Sequence, residues 1–196
     1  MSNVVLIDNG HGQNTLGKCS PDKSLMEWSW TREIAAMVVA SLKSKGIDAR
    51  LLVKETADIS LSERVRRCNT VCRQYGASNV VLVSIHVNAA GSDGKWHDAR
   101  GFSVWVAKTC SEASKKLARL MYGEAEKRNL KGNRYVPKER YWQANFAMVK
   151  NTNCPAVLTE NLFQDNKEDV EYLLSDEGKK SIAQLHVDSL TKYLAK

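Results

Sequence analysis

The sequence predicts an α/β domain in three layers: a mixed, mostly parallel central sheet of about six strands flanked by helices. Short apolar runs alternate with longer segments of helical period, the pattern of strand and helix laid down in turn. Val4-Val5-Leu6-Ile7 and Val80-Val81-Leu82-Val83 are apolar at every position, as strands covered on both faces are. The 196 residues, 43% apolar and 26% charged, contain no internal repeat and only three isolated prolines. One domain spanning residues 1–196 is therefore expected. No apolar stretch approaches the roughly 20 residues that a membrane-spanning helix needs.

The elements follow in order. After the first strand, residues 9–26 form a loop rich in Gly, Asn, Ser and Asp. A helix is expected from Glu27 to Lys45, with Ile34, Met37, Val38, Ala40 and Leu42 on its apolar side and Gly46 as its stop. A strand over Ile47–Val53 comes next, then a helix to Tyr75 opened by Ser60 and Glu63 at capping-box spacing. The strand Val80–His86 leads through a polar loop to a strand at Gly101–Ala107. A basic helix is expected over Ser111–Arg128, with short strands at Phe146–Val149 and Ala156–Thr159. Helices over Glu168–Leu174 and Asp176–Tyr193 close the chain.

The net charge of +7 is unevenly placed. Residues 108–140 hold ten basic against four acidic residues, whereas residues 1–60 are balanced. Such a segment attracts polyanions of any kind, and a solvated helix face is its plainer reading. The five cysteines are odd in number and scattered, which suits a reducing compartment. Cys68-x3-Cys72 lacks a second pair, so both are read as buried thiols.

Three residues stand out by position. His11 lies in Asp8-Asn9-Gly10-His11-Gly12, just after the first strand. Glu27 opens the first helix, and His86 sits in Ser84-Ile85-His86-Val87-Asn88-Ala89 at the end of another buried strand. Each is ordinary alone: a tight turn, an acid favoured by the helix dipole, a core histidine. Together, two imidazoles and a carboxylate at one sheet edge make a three-ligand zinc set with its fourth position open. Glu160, after Ala156-Val157-Leu158-Thr159, is a further carboxylate whose burial is costly unless it is paired or used. It is either a fourth ligand or a general base.

With these motifs the chain resembles the zinc-dependent N-acetylmuramoyl-L-alanine amidases. Beyond Asp8 to Gly12, Glu27 and Ser84 to Ala89, it carries Leu61, Arg64 and Asn69 in a Leu-x-x-Arg-x-x-x-x-Asn stretch. It also has the pair Asn133-Arg134, the run from Pro155 to Phe163, and Asn166 followed by Glu168 and Asp169. The resemblance implies one Zn2+ per chain on His11, Glu27 and His86, with Glu160 as the catalytic carboxylate. Asn88 and Arg134 are implied as substrate-binding or oxyanion-holding donors. The reaction implied is hydrolysis of the amide between the lactyl group of N-acetylmuramic acid and L-alanine of the stem peptide. The partner expected is peptidoglycan or a muropeptide, met by a monomer, with no specific nucleic acid.

Three positions depart from the pattern. Gln13 replaces a frequent glycine, Leu162 stands where glycine is common, and Ser103 stands where an acidic residue often follows Gly101. None removes a ligand, so peptide preference is what they put in question. Lys131–Asn145 is too short for the inserted helix that blocks the site in some regulated relatives. Met1-Ser2-Asn3 runs straight into the first strand without a signal-peptide core. A chain made without a signal peptide is therefore expected, cytoplasmic or delivered to the wall as a lysin, with a mature secreted form as the alternative. Two other functions compete. A zinc peptidase of carboxypeptidase type normally has its first two ligands three residues apart, against sixteen between His11 and Glu27. A non-catalytic peptidoglycan-binding module would have no need of Glu160.

Overall fold

The computed structural model describes residues 3–195. Its centre is a six-stranded sheet of β1 (Val4–Asn9), β2 (Asp48–Leu51), β3 (Val80–Asn88), β4 (Ser103–Val106), β5 (Trp142–Gln143) and β6 (Ala156–Phe163). The strand order is β2-β1-β3-β6-β4-β5. Four of the pairings are parallel and only β4 runs against β6. The helices are α1 (Glu27–Ser44), α2 (Leu61–Tyr75), α3 (Glu112–Lys127), α4 (Ala147–Lys150), α5 (Lys167–Leu174) and α6 (Asp176–Leu194).

Alternation along the strands builds two cores. Val5, Ile7, Val81, Val83 and Val157 face one side with Ile34 and Val38 of α1, Leu117 and Met121 of α3 and Ile182 of α6. Val4, Leu6, Leu82, Ala156 and Leu158 face the other with Cys68 and Cys72 of α2 and Met148 of α4. This is the three-layer arrangement that continuous apolar strands require. Ser60 caps α2 by accepting from the Glu63 N–H at 3.3 Å. The other half of the capping box is absent, because the Glu63 carboxylate turns to Arg66 and Arg67 instead. Among the described residues, no helix is long and apolar enough to cross a membrane.

Two expectations need correction. Phe146–Val149 is not a strand: Phe146 precedes the single helical turn α4, whose Met148 and Val149 are both buried. Adjacent buried side chains suit a helical turn laid on a sheet better than a strand with alternating faces. The sixth strand is instead the two-residue β5, paired with β4 through Trp105 and Trp142. β6 also runs four residues past Thr159, so Glu160 lies within a strand rather than at its end.

Candidate metal centre and active site

The backbone around His11 is shaped by close approach. A Cβ on Gly10 would lie 2.3 Å from Cε1 of His86, and one on Gly12 would lie 2.1 Å from the Asp58 backbone nitrogen. His11 itself takes φ 62°, the left-handed region that side chains rarely adopt. Arg64 stabilises this turn from α2. Its five N–H groups donate to Ile59 O, Asp8 Oδ1, Asn9 O, His11 O and Asp58 Oδ1 at 2.7–3.0 Å. Only 2% of Arg64 is exposed, so the guanidinium is a buried organiser of the loop. The sequence marks Arg64 as part of a motif but gives no hint of this role.

Glu27 enters from the start of α1, where its N–H donates to Lys18 O at 3.0 Å. Oε1 accepts from the Val87 N–H at 2.9 Å and lies 3.2 Å from Nδ1 of His86. Oε2 lies 3.4 Å from Nε2 of His11 and has no hydrogen-bond partner among the described residues. The hydroxyl of Ser84 donates to Asp8 Oδ2 at 2.5 Å, so toward His86 Nε2, 3.2 Å away, it can only accept. In the neutral ring this leaves the proton on Nε2 and the Nδ1 lone pair facing Glu27. Arg64, Asp8 and Ser84 thus set the tautomer of His86 as an outer partner sets a metal-binding imidazole.

The charges respond to this crowding. Burial pushes His11 down to about 4 against the pull of Glu27. Burial also opposes the charge on His86, but Glu27, Glu160 and Asp8 outweigh it and leave its pKa raised. For Glu27, burial is outweighed by His86, His11 and the Val87 N–H, and its pKa is lowered. The three donor atoms of His11, Glu27 and His86 all lie within 4.8 Å of one another. A buried carboxylate oxygen that accepts no hydrogen bond, between two imidazoles, is a costly arrangement. A divalent cation relieves it, and two imidazoles with one carboxylate are a fitting donor set for zinc.

Glu160 sits beside the centre, in register with His86 on β3 and Ser103 on β4. Its Oε2 is sealed from solvent and has no hydrogen-bond partner among the described residues. Burial, aided by the charge of Glu27, pushes it up to about 7, while His86, Lys18 and Arg134 pull it down. Arg134 stands over the rings of Trp142 and Phe163 and donates to Ser103 Oγ at 3.3 Å. Asn88 ends β3, with its Oδ1 accepting from the Ala89 N–H at 2.9 Å. Leu162, at a position where glycine is common in the resembling family, has φ 64°. It falls where the β3–β6 register shifts between His86 and Asn88, so the usual glycine fits a left-handed residue at this irregularity.

Sequence reasoning missed Lys18, whose charge bears on both His11 and Glu160. It also missed the support behind His86. Asn161 Nδ2 donates to His86 O at 2.8 Å and lies 3.2 Å from Thr159 Oγ1. Thr159 Oγ1 in turn lies 3.0 Å from Nε2 of His186. The Nδ1–H of His186 donates to Ile182 O at 2.8 Å, so its Nε2 accepts from Thr159. His186 is wholly buried, and burial pushes its pKa down to about 4.

A pH dependence of stability follows. The unfolded chain binds a proton at His186 near 6.5 and the folded chain only near 4. Stability is therefore full above about pH 6.5 and falls as pH drops toward about 4, by roughly 3 kcal/mol for this group. Urea unfolding at several pH values checks this: His186→Gln should flatten the slope in that window, whatever its absolute stability.

The basic segment is more neutralised than its composition implies. Lys115 pairs with Glu112 and Lys127 with Glu124, each at 2.7 Å, and Arg128 bridges Glu124 and Asp188 at 2.6 Å.

The family model described as N-acetylmuramoyl-L-alanine amidase matches residues 5–192. The chain is 28% identical over 200 residues to the endolysin of Bacillus phage SPP1, covering 99% of this chain and 67% of that protein. It is 28% identical over 190 residues to the N-acetylmuramoyl-L-alanine amidase CwlM of Bacillus licheniformis, covering 96% and 67%. Among solved structures it superposes on the catalytic domain of CwlV, an N-acetylmuramoyl-L-alanine amidase from Bacillus (Paenibacillus) polymyxa var. colistinus. That match has a TM-score of 0.80 at 26% identity and covers 98% of both chains.

Proposed function

The chain belongs to the N-acetylmuramoyl-L-alanine amidase family, and from that premise we propose that it hydrolyses the lactyl–L-alanine amide of peptidoglycan at a zinc centre. The observation that carries this reading is the convergence of His11, Glu27 and His86 with Glu160 beside them, two of the buried carboxylate oxygens lacking a hydrogen-bond partner among the described residues. His11, Glu27 and His86 would hold the zinc, which when bound would supply the Lewis acidity to activate water near neutral pH and to polarise the amide carbonyl.

The remaining work falls to the chain's own side chains. Glu160 takes the proton of the attacking water and delivers it to the alanine nitrogen, which would otherwise leave as a poor amide anion. Its pKa, pushed up to about 7 by burial, favours a group that both accepts and returns a proton. Arg134 and Asn88 are assigned to the substrate. Ser103, in place of the acidic residue common in the family, gives Arg134 a neutral partner. That leaves the guanidinium available to a peptide carboxylate or to the tetrahedral oxyanion. Arg64, Asp8 and Ser84 hold the ligands in place throughout. The exposed lysines of α3 and the loop after it assist attachment to an anionic wall, an attraction that salt screens.

Metal removal tests the reading. A strong chelator should abolish clearing of purified sacculi, and zinc added in slight excess should restore it. Clearing that persists in the fully chelated protein would overturn the zinc assignment.

A further inference from the structure

We propose that Cys68, Cys72 and Cys154 form a second, buried cation site that takes a thiophilic d10 ion such as Zn2+ through three thiolates. It is separate from the His11–Glu27–His86 centre. The three sulfurs lie within 4.8 Å of one another, and Cys68 Sγ stands 3.7 Å from Cys154 Sγ. Sulfurs bound tetrahedrally to one ion at about 2.3 Å stand roughly 3.8 Å apart. The trio therefore needs little rearrangement to close on a cation.

The placement is specific. Cys68 and Cys72 are one turn apart on the inner face of α2, and Cys154 precedes β6. Asn69 fixes that preceding segment against α2: its Nδ2 donates to Asn151 O at 3.0 Å and its Oδ1 accepts from the Asn153 N–H at 2.8 Å. This supports the ligand-bearing loop as outer partners support a metal ligand. The surroundings are the smaller apolar core, on the face of the sheet away from α1 and Glu27. Cys68, Cys72 and Cys154 are 0%, 4% and 7% exposed, so the trio is buried.

Three thiolates with no oxygen or imidazole donor in the group select soft d10 cations over Mg2+, Ca2+ or Mn2+. Binding releases the three thiol protons to solvent and leaves one net negative charge with a divalent ion. The ion would tie α2, which carries Arg64, to β6, which carries Glu160. Its binding free energy would add to folding. The role assigned is thus a staple behind the active site, not a catalytic one.

Cadmium tests this, because thiolate–cadmium complexes absorb in the near ultraviolet while carboxylate and imidazole complexes do not. The full chain, kept reduced with a phosphine and freed of metal, is titrated with Cd2+. The expected result is a near-ultraviolet band that saturates at one sulfur-bound ion per chain. The band should vanish in Cys154→Ser and in Cys72→Ala, and persist in the Cys19→Ser, Cys110→Ser double variant. No such band in the wild-type chain overturns the site whether or not the variants fold, and so does a band that survives Cys154→Ser. Neither outcome touches the amidase reading, whose own metal is held without sulfur.

Discussion

Replacing Glu160 by Gln is expected to lower turnover on peptidoglycan by about 10²- to 10⁴-fold, the usual worth of a positioned general acid–base group. The substitution is nearly isosteric, so β6 should keep its register with His86 and Ser103. It also removes a charge whose burial is unfavourable, as the upward push of its pKa to about 7 indicates. Stability should therefore hold or rise slightly. Zinc content should stay at the wild-type value, because the donor set is complete without Glu160. Steady-state rates on soluble muropeptide, paired with elemental analysis of the same sample, separate the possibilities. Loss of zinc together with rate would make Glu160 a ligand, and a retained rate would remove it from the chemistry.

The second large effect concerns the ligands. His11→Ala and His86→Ala should each hold one zinc fewer per chain than the parent and lose turnover beyond the roughly 100-fold that loss of a supporting partner costs. They should differ in stability without metal. His11 is a partly exposed residue in the turn, whereas His86 lies in the central strand β3 against Ser84 and Glu27. Removing the His86 ring opens a cavity beside Gly10 and leaves the Ser84 hydroxyl without its donor, so His86→Ala should unfold at lower urea than His11→Ala. Equal zinc content in parent and variants, all well folded, would reject the ligand assignment.

Much of this centre was legible because its residues sit where apolar runs and helices begin and end. His11 and Glu27 could be placed from Val4–Ile7 and from the start of the first helical period, and His86 from the run that begins at Val80. Glu160 was recognisable as a carboxylate on a buried strand, but not as one lying mid-strand, since the β6 residues after it include the polar Asn161. What remained hidden depends on contacts between distant segments. Cys154 joins Cys68 across 86 positions, with no local spacing to reveal it. The five hydrogen bonds of Arg64 and the buried His186–Thr159–Asn161 chain are likewise tertiary. Phe146–Val149 misled because four residues of mixed size fit a strand or a single helical turn equally well. The true edge strand, Trp142–Gln143, is too short to carry any period.

The most direct test of the central claim is the identity of the bond cut. Purified peptidoglycan digested with the wild-type chain and analysed by mass spectrometry should yield stem peptides with a free N-terminal L-alanine. The glycan strands released alongside should carry a free lactyl carboxylate on each stripped muramic acid and no new reducing ends. New reducing ends would identify a glycosidase. Stem peptides shortened from their C-terminus, with the lactyl–alanine amide intact, would identify a carboxypeptidase. Either result would contradict the function assigned to His11, Glu27, His86 and Glu160.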